Sequence, residues 1–215
     1  NLWGIEVLNE PISPELWTAI NVPKRYPAVD KAYAEGSEGV PTDFLKSFYT
    51  QAYSRIRAQA EDVPIVFHDG FRIKEWVGFF KAPDFKNIIL DTHLYVMMHT
   101  VTNRDASLDD YVRHIDNEFG STLEEMSQYF PILVGEWCLD TKSPKTTALT
   151  DQERLDYFRA IADAHFNAWK NATAWCYWSY KLHGDNPVND LWDMGKAIEL
   201  GLLPQDLLSP TGQHF

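Results

Sequence analysis

The stretch Ile132-Leu-Val-Gly-Glu-Trp137 is a short apolar run that ends on a carboxylate. The run from Ile132 to Val134 predicts a β-strand. Downstream, Thr150 and Glu153 form a capping box ahead of an apolar stripe, which predicts the start of a helix. A strand, a polar strand end and an amphipathic helix in this order are typical of a parallel βαβ unit.

The same order recurs along the chain, and no repeat, low-complexity tract or linker interrupts it. Each predicted strand is a short apolar run, and the main predicted helices have apolar residues spaced by three or four. The predicted strands are Leu2 to Leu8, Val63 to Phe67, Ile88 to Tyr95, Ile132 to Val134 and Thr173 to Tyr180. The predicted helices are Thr42 to Glu61, a weak one from Arg72 to Lys81, one that opens at a capping box of Ser107 with Asp110, and one after Thr150.

Two α/β folds compete for this alternation. A doubly wound sheet usually has a glycine-rich phosphate turn after its first strand, and this sequence has none there. A (β/α)8 barrel instead carries functional residues at the C-terminal ends of several strands. Here those ends are polar or aromatic, which favours the barrel. They are Asn9-Glu10, His68-Asp69, His93-Leu94-Tyr95, Gly135-Glu136 and Trp178.

The number of strands is too small for a closed barrel. Five are predicted, whereas a (β/α)8 barrel needs eight strands and roughly 250 residues. Either strands have escaped detection or about three βα units are missing, and a start inside a predicted strand favours units missing at the N-terminus. We therefore expect residues 1–215 to be the C-terminal part of a single (β/α)8 catalytic domain. The remaining N-terminal half would come from the same gene or from a companion chain.

Composition limits the possible partners. With 19 Lys and Arg against 31 Asp and Glu, the net charge is −12, which argues against a nucleic-acid partner. No apolar run approaches the roughly 18 residues of a membrane span, so no membrane partner is expected. Cys138 and Cys176 lack metal-ligand spacing and are either two thiols or one bridge.

Glu10 and Glu136 are the candidate catalytic residues, because each ends a different predicted strand. Retaining glycoside hydrolysis needs two carboxyl groups roughly 5–5.5 Å apart, one as acid/base and one as nucleophile. A single Glu at a strand end is more often a solvated surface group, so the prediction depends on the neighbouring residues. Asn9 can hydrogen-bond a sugar 2-OH, although it can also be a simple turn residue before Pro11. Pro11 is expected to keep Glu10 extended.

Aromatic and histidine side chains at other strand ends complete the predicted site. His93 and Tyr95 are two residues apart and share a strand face, so the phenol can donate a hydrogen bond to Glu136. Trp178 can form a platform under the cleaved sugar. Each of these three can instead be an ordinary core residue. His68, Asp69 and Phe71 are expected to line the outer part of the site, with a loop turn as the alternative.

The remaining candidate residues are assigned to core packing or have no motif that supports a catalytic role. Trp137 follows Glu136 and is expected to point to the opposite face, into the core. A nucleophilic pair of Cys138 with His93 is conceivable but has no supporting motif. Esterase, zinc-protease and phosphate-loop motifs are absent from the sequence.

Three motifs in order carry a resemblance to a known family: Ile5-Glu-Val-Leu-Asn-Glu-Pro11, Gly135-Glu-Trp137 and Trp175-Cys-Tyr-Trp-Ser-Tyr-Lys181. With them the chain resembles glycoside hydrolase family five, and within it the fungal-type exo-β-1,3-glucanases. Supporting segments are Val66-Phe-His-Asp-Gly-Phe71, Leu90-Asp-Thr-His-Leu-Tyr95 and the tail from Trp192 to Pro204. The order and approximate spacing match over nearly the whole chain.

The resemblance implies a retaining enzyme that uses neither a metal nor another cofactor. It implies that Glu10 is the acid/base and Glu136 the nucleophile, with Asn9, His93, Tyr95 and Trp178 around the reacting sugar. It also implies that the chain starts at the fourth strand of the barrel. The chain departs from the family at His93-Leu94-Tyr95, where the family has His-His-Tyr, and in a shorter segment between Trp137 and Thr150 that lacks the usual cysteines.

The expected function is therefore exo-β-1,3-glucanase activity on a β-glucan or β-glucoside, with an extracellular or cell-wall location. Two alternatives stay open. One is a sister activity of the same family, an endo-β-1,4-glucanase or a diglycosidase. The other is a catalytically inactive, carbohydrate-binding half-barrel fragment.

Overall fold

A computed structural model describes residues 2–81, 83–184, 187–204 and 206–207. The chain forms two compact units, residues 1–92 and residues 93–215, and each is described by itself. In both, short parallel strands alternate with helices.

The first unit contains three parallel strands in chain order. Strand β1 is Ile5–Glu6, β2 is Ile65–His68, and β3 is Ile88–His93, whose last residue belongs to the second unit. Ile5 lies opposite Ile65, and Ile65 lies opposite Ile88. The helices are α1 (Pro14–Ala19), α2 (Val22–Arg25) and α3 (Thr42–Arg57), and Ile73–Trp76 forms a short 3-10 helix.

Helix α3 packs on the sheet through the stripe Leu45, Tyr49 and Tyr53, all of which are buried. The Tyr49 ring lies 5.5 Å from the ring of Phe67, which is on β2. A second set of apolar residues on α3 begins with Phe44 and Phe48, and both are exposed, Phe44 to 63%. Both sets repeat every four residues, so periodicity alone does not predict which of them faces the sheet.

The second unit contains strands β4 (Ile132–Trp137) and β5 (Ala174–Tyr177), which pair in parallel. Leu133 lies opposite Ala174, and the register shifts between Val134 and Trp137. The helices are α4 (Met97–Thr102), α5 (Leu108–His114), α6 (Ser121–Met126), α7 (Asp151–Ala168) and α8 (Met194–Glu199), with π-helical turns over Ile115–Gly120 and 3-10 turns over Pro144–Ala148, Trp169–Asn171 and Pro187–Trp192.

Trp137 is the centre of the second unit's core and is fully buried, as predicted. Its indole packs against rings from α7, from the turn that follows α7, and from β5. Their centroids lie 4.9 to 5.7 Å away, and the residues are His165, Phe166, Trp169, Trp175 and Tyr177. Residue 137 therefore holds the end of β4 in place while residue 136 points away from this core.

Both predicted capping boxes are present. Ser107 caps α5 and exchanges hydrogen bonds with Asp110, and Thr150 caps α7 and exchanges hydrogen bonds with Glu153. The fold class is confirmed: within the residues that the structure describes, five parallel strands with helices between them are the βα alternation of a partial (β/α)8 barrel. Both cysteines are free thiols, which settles the alternative that the sequence left open.

Several predicted boundaries were too long. The first strand has two residues rather than seven. Helix α3 ends at Arg57 instead of Glu61, because the Arg57 guanidinium donates to the carbonyls of Ala60, Glu61 and Val63 and turns the chain back. The predicted helix after Arg72 is only the 3-10 helix.

Candidate active site

The Glu136 carboxylate lies near the end of β4 and is held by two neighbouring side chains. Its side chain is 13% exposed. The Tyr95 hydroxyl donates a hydrogen bond of 2.6 Å to Glu136 Oε2, and His93 Nδ1 lies 3.4 Å from the same oxygen. The structure thus brings together the three residues that the sequence predicted as a group. The contacts of Tyr95 and His93 with one oxygen fix the direction of the Glu136 carboxylate.

The backbone explains how these three side chains meet. Leu94 N–H donates to the Glu136 carbonyl, so the chain around residue 94 runs alongside the end of β4. His93 and Tyr95 flank Leu94 and share a face. The register shift between Val134 and Trp137 falls on Gly135 and Glu136. Such bulges re-aim a side chain and are frequent beside active sites.

Trp178 lies directly after β5, and its indole is 52% exposed. Trp178 N–H donates to the Trp137 carbonyl at 2.8 Å, which places the two strand ends side by side. An aromatic side chain that stays exposed at a strand end offers a flat apolar face to a ligand.

Glu10 lies in the first unit, four residues after β1, and it is half-buried next to an exposed Asn9. Its φ is +44°, so the expectation that Pro11 keeps Glu10 extended was wrong. The turn is closely packed by the segment after β2. A Cβ at Gly70 would lie 2.6 Å from the Pro11 carbonyl oxygen, and Arg72 Nη2 donates to the carbonyls of Pro11 and Val40.

His68 and Asp69 end β2 and build the turn that follows it. Gly70 N–H donates to His68 Nδ1 at 2.8 Å. Because that nitrogen accepts a hydrogen bond and carries no proton, its contact with Asp69 at 3.4 Å is not an ion pair. The Asp69 carboxylate accepts from Phe71 N–H and from the Thr92 hydroxyl. These contacts support the loop-turn interpretation of Asp69.

Of the three residues predicted to line the outer part of the site, Phe71 is the one whose side chain is exposed to solvent. It is 40% exposed and has a φ of +62°. Its ring contacts the His68 ring edge to face, with centroids 5.4 Å apart. His68 is completely buried, so it does not reach the surface itself and instead packs under the Phe71 ring.

The cysteine alternative loses support. Cys138 is fully buried, and burial raises the pKa of its thiol to about 12. A thiol with that pKa is protonated near neutral pH, whereas the thiolate is the nucleophile.

Three residues that sequence reasoning did not select hold the selected ones. Arg72 anchors the Glu10 turn, Trp192 packs on Tyr95, and Asp140 accepts a hydrogen bond from the Trp192 indole. Trp192 belongs to the tail that carries the family resemblance, so that motif was the available signal. Arg72 has no local pattern that marks it.

No family model matches the chain. It is similar to "Probable glucan 1,3-beta-glucosidase A" of Aspergillus terreus, with 28% identity over 221 residues, 85% of this chain and 49% of the relative. The protein of the same name from Emericella nidulans is 23% identical over 79% of this chain and 47% of the relative. "Glucan 1,3-beta-glucosidase 1" of Schizosaccharomyces pombe is 22% identical over 78% and 44%.

The chain therefore spans about half the length of the curated relatives it matches. Within the described part of the chain, no helix combines the length and apolar character needed to cross a membrane.

Proposed function

We propose that this chain carries the reacting carboxylates of a retaining glycoside hydrolase that acts on β-glucan or a related β-glucoside. Exo-β-1,3-glucanase activity is the form that fits best, and family five is the family we propose. The observation that carries the proposal is the Glu136 carboxylate, held near a strand end by Tyr95 at 2.6 Å with His93 at 3.4 Å. The printed names of the relatives support the substrate class.

In the proposed first step, a Glu136 oxygen attacks the anomeric carbon while Glu10 gives its proton to the leaving glycosidic oxygen. The bond to the leaving group breaks, and a glycosyl ester of Glu136 forms. In the second step, Glu10 takes a proton from water as the water oxygen attacks the anomeric carbon. The ester bond breaks, Glu136 returns as a carboxylate, and the sugar leaves with its original configuration.

The other predicted residues take binding roles in this proposal. Trp178 stacks on the sugar with its exposed indole, and Asn9 hydrogen-bonds the 2-OH. His93 and Tyr95 orient Glu136. Phe71, supported by the turn of His68 and Asp69, lines the outer part of the site, where a longer glucan chain would pass.

The size of the relatives suggests the conditions for activity. Because the chain spans about half of them, we propose that activity needs the N-terminal half of the barrel, from the same gene or a companion chain. A polymeric β-glucan substrate favours an extracellular or cell-wall location. Binding of glucan oligosaccharides without cleavage, even when the N-terminal half is supplied, would support the carbohydrate-binding alternative.

Azide rescue of two variants tests the proposed roles in the complete protein, with an activated aryl β-glucoside as substrate. Glu136→Gly should be inactive and should form an inverted glycosyl azide when azide is added, since only one displacement remains. Glu10→Ala should form a glycosyl azide of retained configuration, since azide attacks the glycosyl ester. Full hydrolysis by Glu136→Gln would show that the assignment is wrong. Laminarin and cellulose oligosaccharides then separate the exo-β-1,3 from the endo-β-1,4 alternative by their products.

A further inference from the structure

Trp192 connects the loop after β4 to the ring that holds Glu136. It is the last residue of the 3-10 turn Pro187–Trp192, and it is half-buried. Its indole N–H donates to Asp140 Oδ2 at 2.7 Å, and Asp140 is only 7% exposed. A hydrogen bond from an indole to a buried carboxylate fixes the plane of the indole ring.

The fixed indole packs against Tyr95. The two ring centroids lie 5.7 Å apart with an angle of 31° between the planes. The hydroxyl of the same tyrosine donates to Glu136 Oε2 at 2.6 Å. A neighbouring ring restricts the side-chain rotation of Tyr95, so the direction of the hydroxyl depends on Trp192.

The charges around this contact keep the anchor in place. Lys142 Nζ lies 2.5 Å from Asp140 Oδ2, so the buried carboxylate has a cationic partner. The same ammonium lies 5.5 Å from the centroid of the Trp192 ring, within the range of a cation–π contact. On the Glu136 side, His93 Nδ1 and the Tyr95 hydroxyl are titratable groups that face the carboxylate, and both contact Oε2.

The main chain of Trp192 is tied to the predicted sugar platform. Ser179 N–H donates to the Trp192 carbonyl at 2.6 Å, and Ser179 directly follows Trp178. Trp192 therefore contacts the segments that carry two predicted site residues. The Trp192 indole N–H donates to Asp140, and the Trp192 ring contacts Tyr95 and Lys142. Trp178, in contrast, leaves 52% of its surface exposed.

We propose that Trp192, anchored by Asp140, is a positioning residue that holds Tyr95 in the orientation in which its hydroxyl donates to Glu136. The consequence for catalysis rests on the proposed function, whereas the coupling of Trp192 to Glu136 through Tyr95 does not. In this proposal Trp192 acts on Glu136 through Tyr95. Its loss should have the effect of losing the Tyr95 hydroxyl.

A double-mutant cycle in the complete protein tests this coupling. Trp192→Ala and Tyr95→Phe are made alone and together, and two quantities are measured in each protein. One is kcat and KM on an aryl β-glucoside across pH. The other is the titration midpoint of the Glu136 carboxyl, followed by NMR of ¹³C-labelled glutamate, which needs no activity.

Trp192→Ala should lower kcat about tenfold, the value of one hydrogen bond, with little change in KM. It should also move the Glu136 titration to higher pH, since the ionised form loses a donor. Added to Tyr95→Phe, it should change neither quantity further. Trp192→Phe, which keeps a ring against Tyr95 but loses the hydrogen bond to Asp140, should have a kcat between those of the unmodified protein and Trp192→Ala.

Independent effects of the two variants would overturn the inference, because Trp192 would then not act through Tyr95. Trp175→Ala is the matched control: Trp175 packs on Trp137 and Phe166, and its effect should add to that of Tyr95→Phe. If Trp192→Ala does not fold, Trp192→Leu replaces it in the same cycle. If the unmodified protein cleaves no glucoside, the proposed function fails, while the NMR titrations still decide the inference.

Discussion

The Tyr95 hydroxyl lies 2.6 Å from Glu136 Oε2, and this hydrogen bond joins two residues from different βα units. A phenol that donates to a carboxylate stabilises the ionised form, which is the form that attacks an anomeric carbon. The position of the donor therefore affects both the aim and the protonation of the proposed nucleophile.

Replacing Tyr95 by Phe should move the acid side of the pH–activity profile to higher pH. The lost hydrogen bond corresponds to a shift of up to about one pH unit and a fall of about tenfold in kcat. The measurement is kcat/KM on an aryl β-glucoside between pH 3 and pH 8. Tyr180→Phe is the control, because Tyr180 is 71% exposed and should leave the profile unchanged. An unaltered acid limb in Tyr95→Phe would show that the hydrogen bond does not serve Glu136.

Replacing Gly70 by Ala should disturb the turn that carries Glu10. Gly70 has a φ of +64°, and the new Cβ would meet the Pro11 carbonyl oxygen at 2.6 Å. The backbone after Glu10 must then shift. We expect hydrolysis of glucosides with poor leaving groups, which need the Glu10 proton, to fall at least about tenfold more than hydrolysis of activated ones.

Gly36→Ala is the matched control for that variant. Gly36 has a φ of +75°, but nothing lies within 4 Å of a Cβ built there. Both variants introduce the same kind of backbone strain, of about 1–2 kcal/mol. Only Gly70→Ala adds the contact with Pro11. Equal losses in the two variants, measured by unfolding and by activity, would rule out a specific effect on the Glu10 turn.

His165 should make the second unit less stable in acid. It is fully buried, and burial lowers the pKa of its imidazole to about 4. An unfolded histidine has a pKa near 6.5, so the unfolded state binds more protons between these two values. The stability that comes with a neutral, buried His165 is fully present above about pH 6.5 and is lost as the pH falls toward 4. The free energy of unfolding falls by about 3 kcal/mol over this range.

Urea unfolding followed by tryptophan fluorescence at several pH values measures this loss, since His165 stacks on Trp137 with centroids 5.0 Å apart. His165→Phe keeps an aromatic ring there and removes the titrating group. It should flatten the dependence of the unfolding free energy on pH between 4 and 6.5. Burial also lowers the pKa of His114, which stacks on His99, so a smaller slope of the same sign should remain. An unchanged slope in His165→Phe would contradict the assignment.

Local signals in the sequence were sufficient for the alternation of strands and helices. Capping boxes such as Thr150 with Glu153 involve residues three apart, so they are visible without tertiary structure. The grouping of His93, Tyr95 and Glu136 was also predictable, because parallel strands bring their C-terminal ends to one edge. Trp178 is exposed at the end of β5, and its role as a platform stays a prediction.

Features that depend on contacts between distant segments were not predictable. The positive φ of Glu10 accompanies close packing by Gly70 and Arg72, which lie far along the chain. The packing of Trp192 on Tyr95 likewise joins segments with no shared local pattern. The peptide bond between Trp178 and Ser179 is cis, and cis bonds before residues other than proline are too rare for any sequence pattern to predict.

Covalent trapping of the glycosyl–enzyme ester tests the central claim most directly. The complete protein is incubated with a 2-deoxy-2-fluoro-β-glucoside that carries a good leaving group, which slows both steps but the second one more. After proteolysis, mass spectrometry should find one fluoroglucosyl group on the peptide that contains Glu136, and none on the peptide that contains Glu10. Turnover of β-glucosides without a trapped ester, or an ester on any residue other than Glu136, would contradict the account.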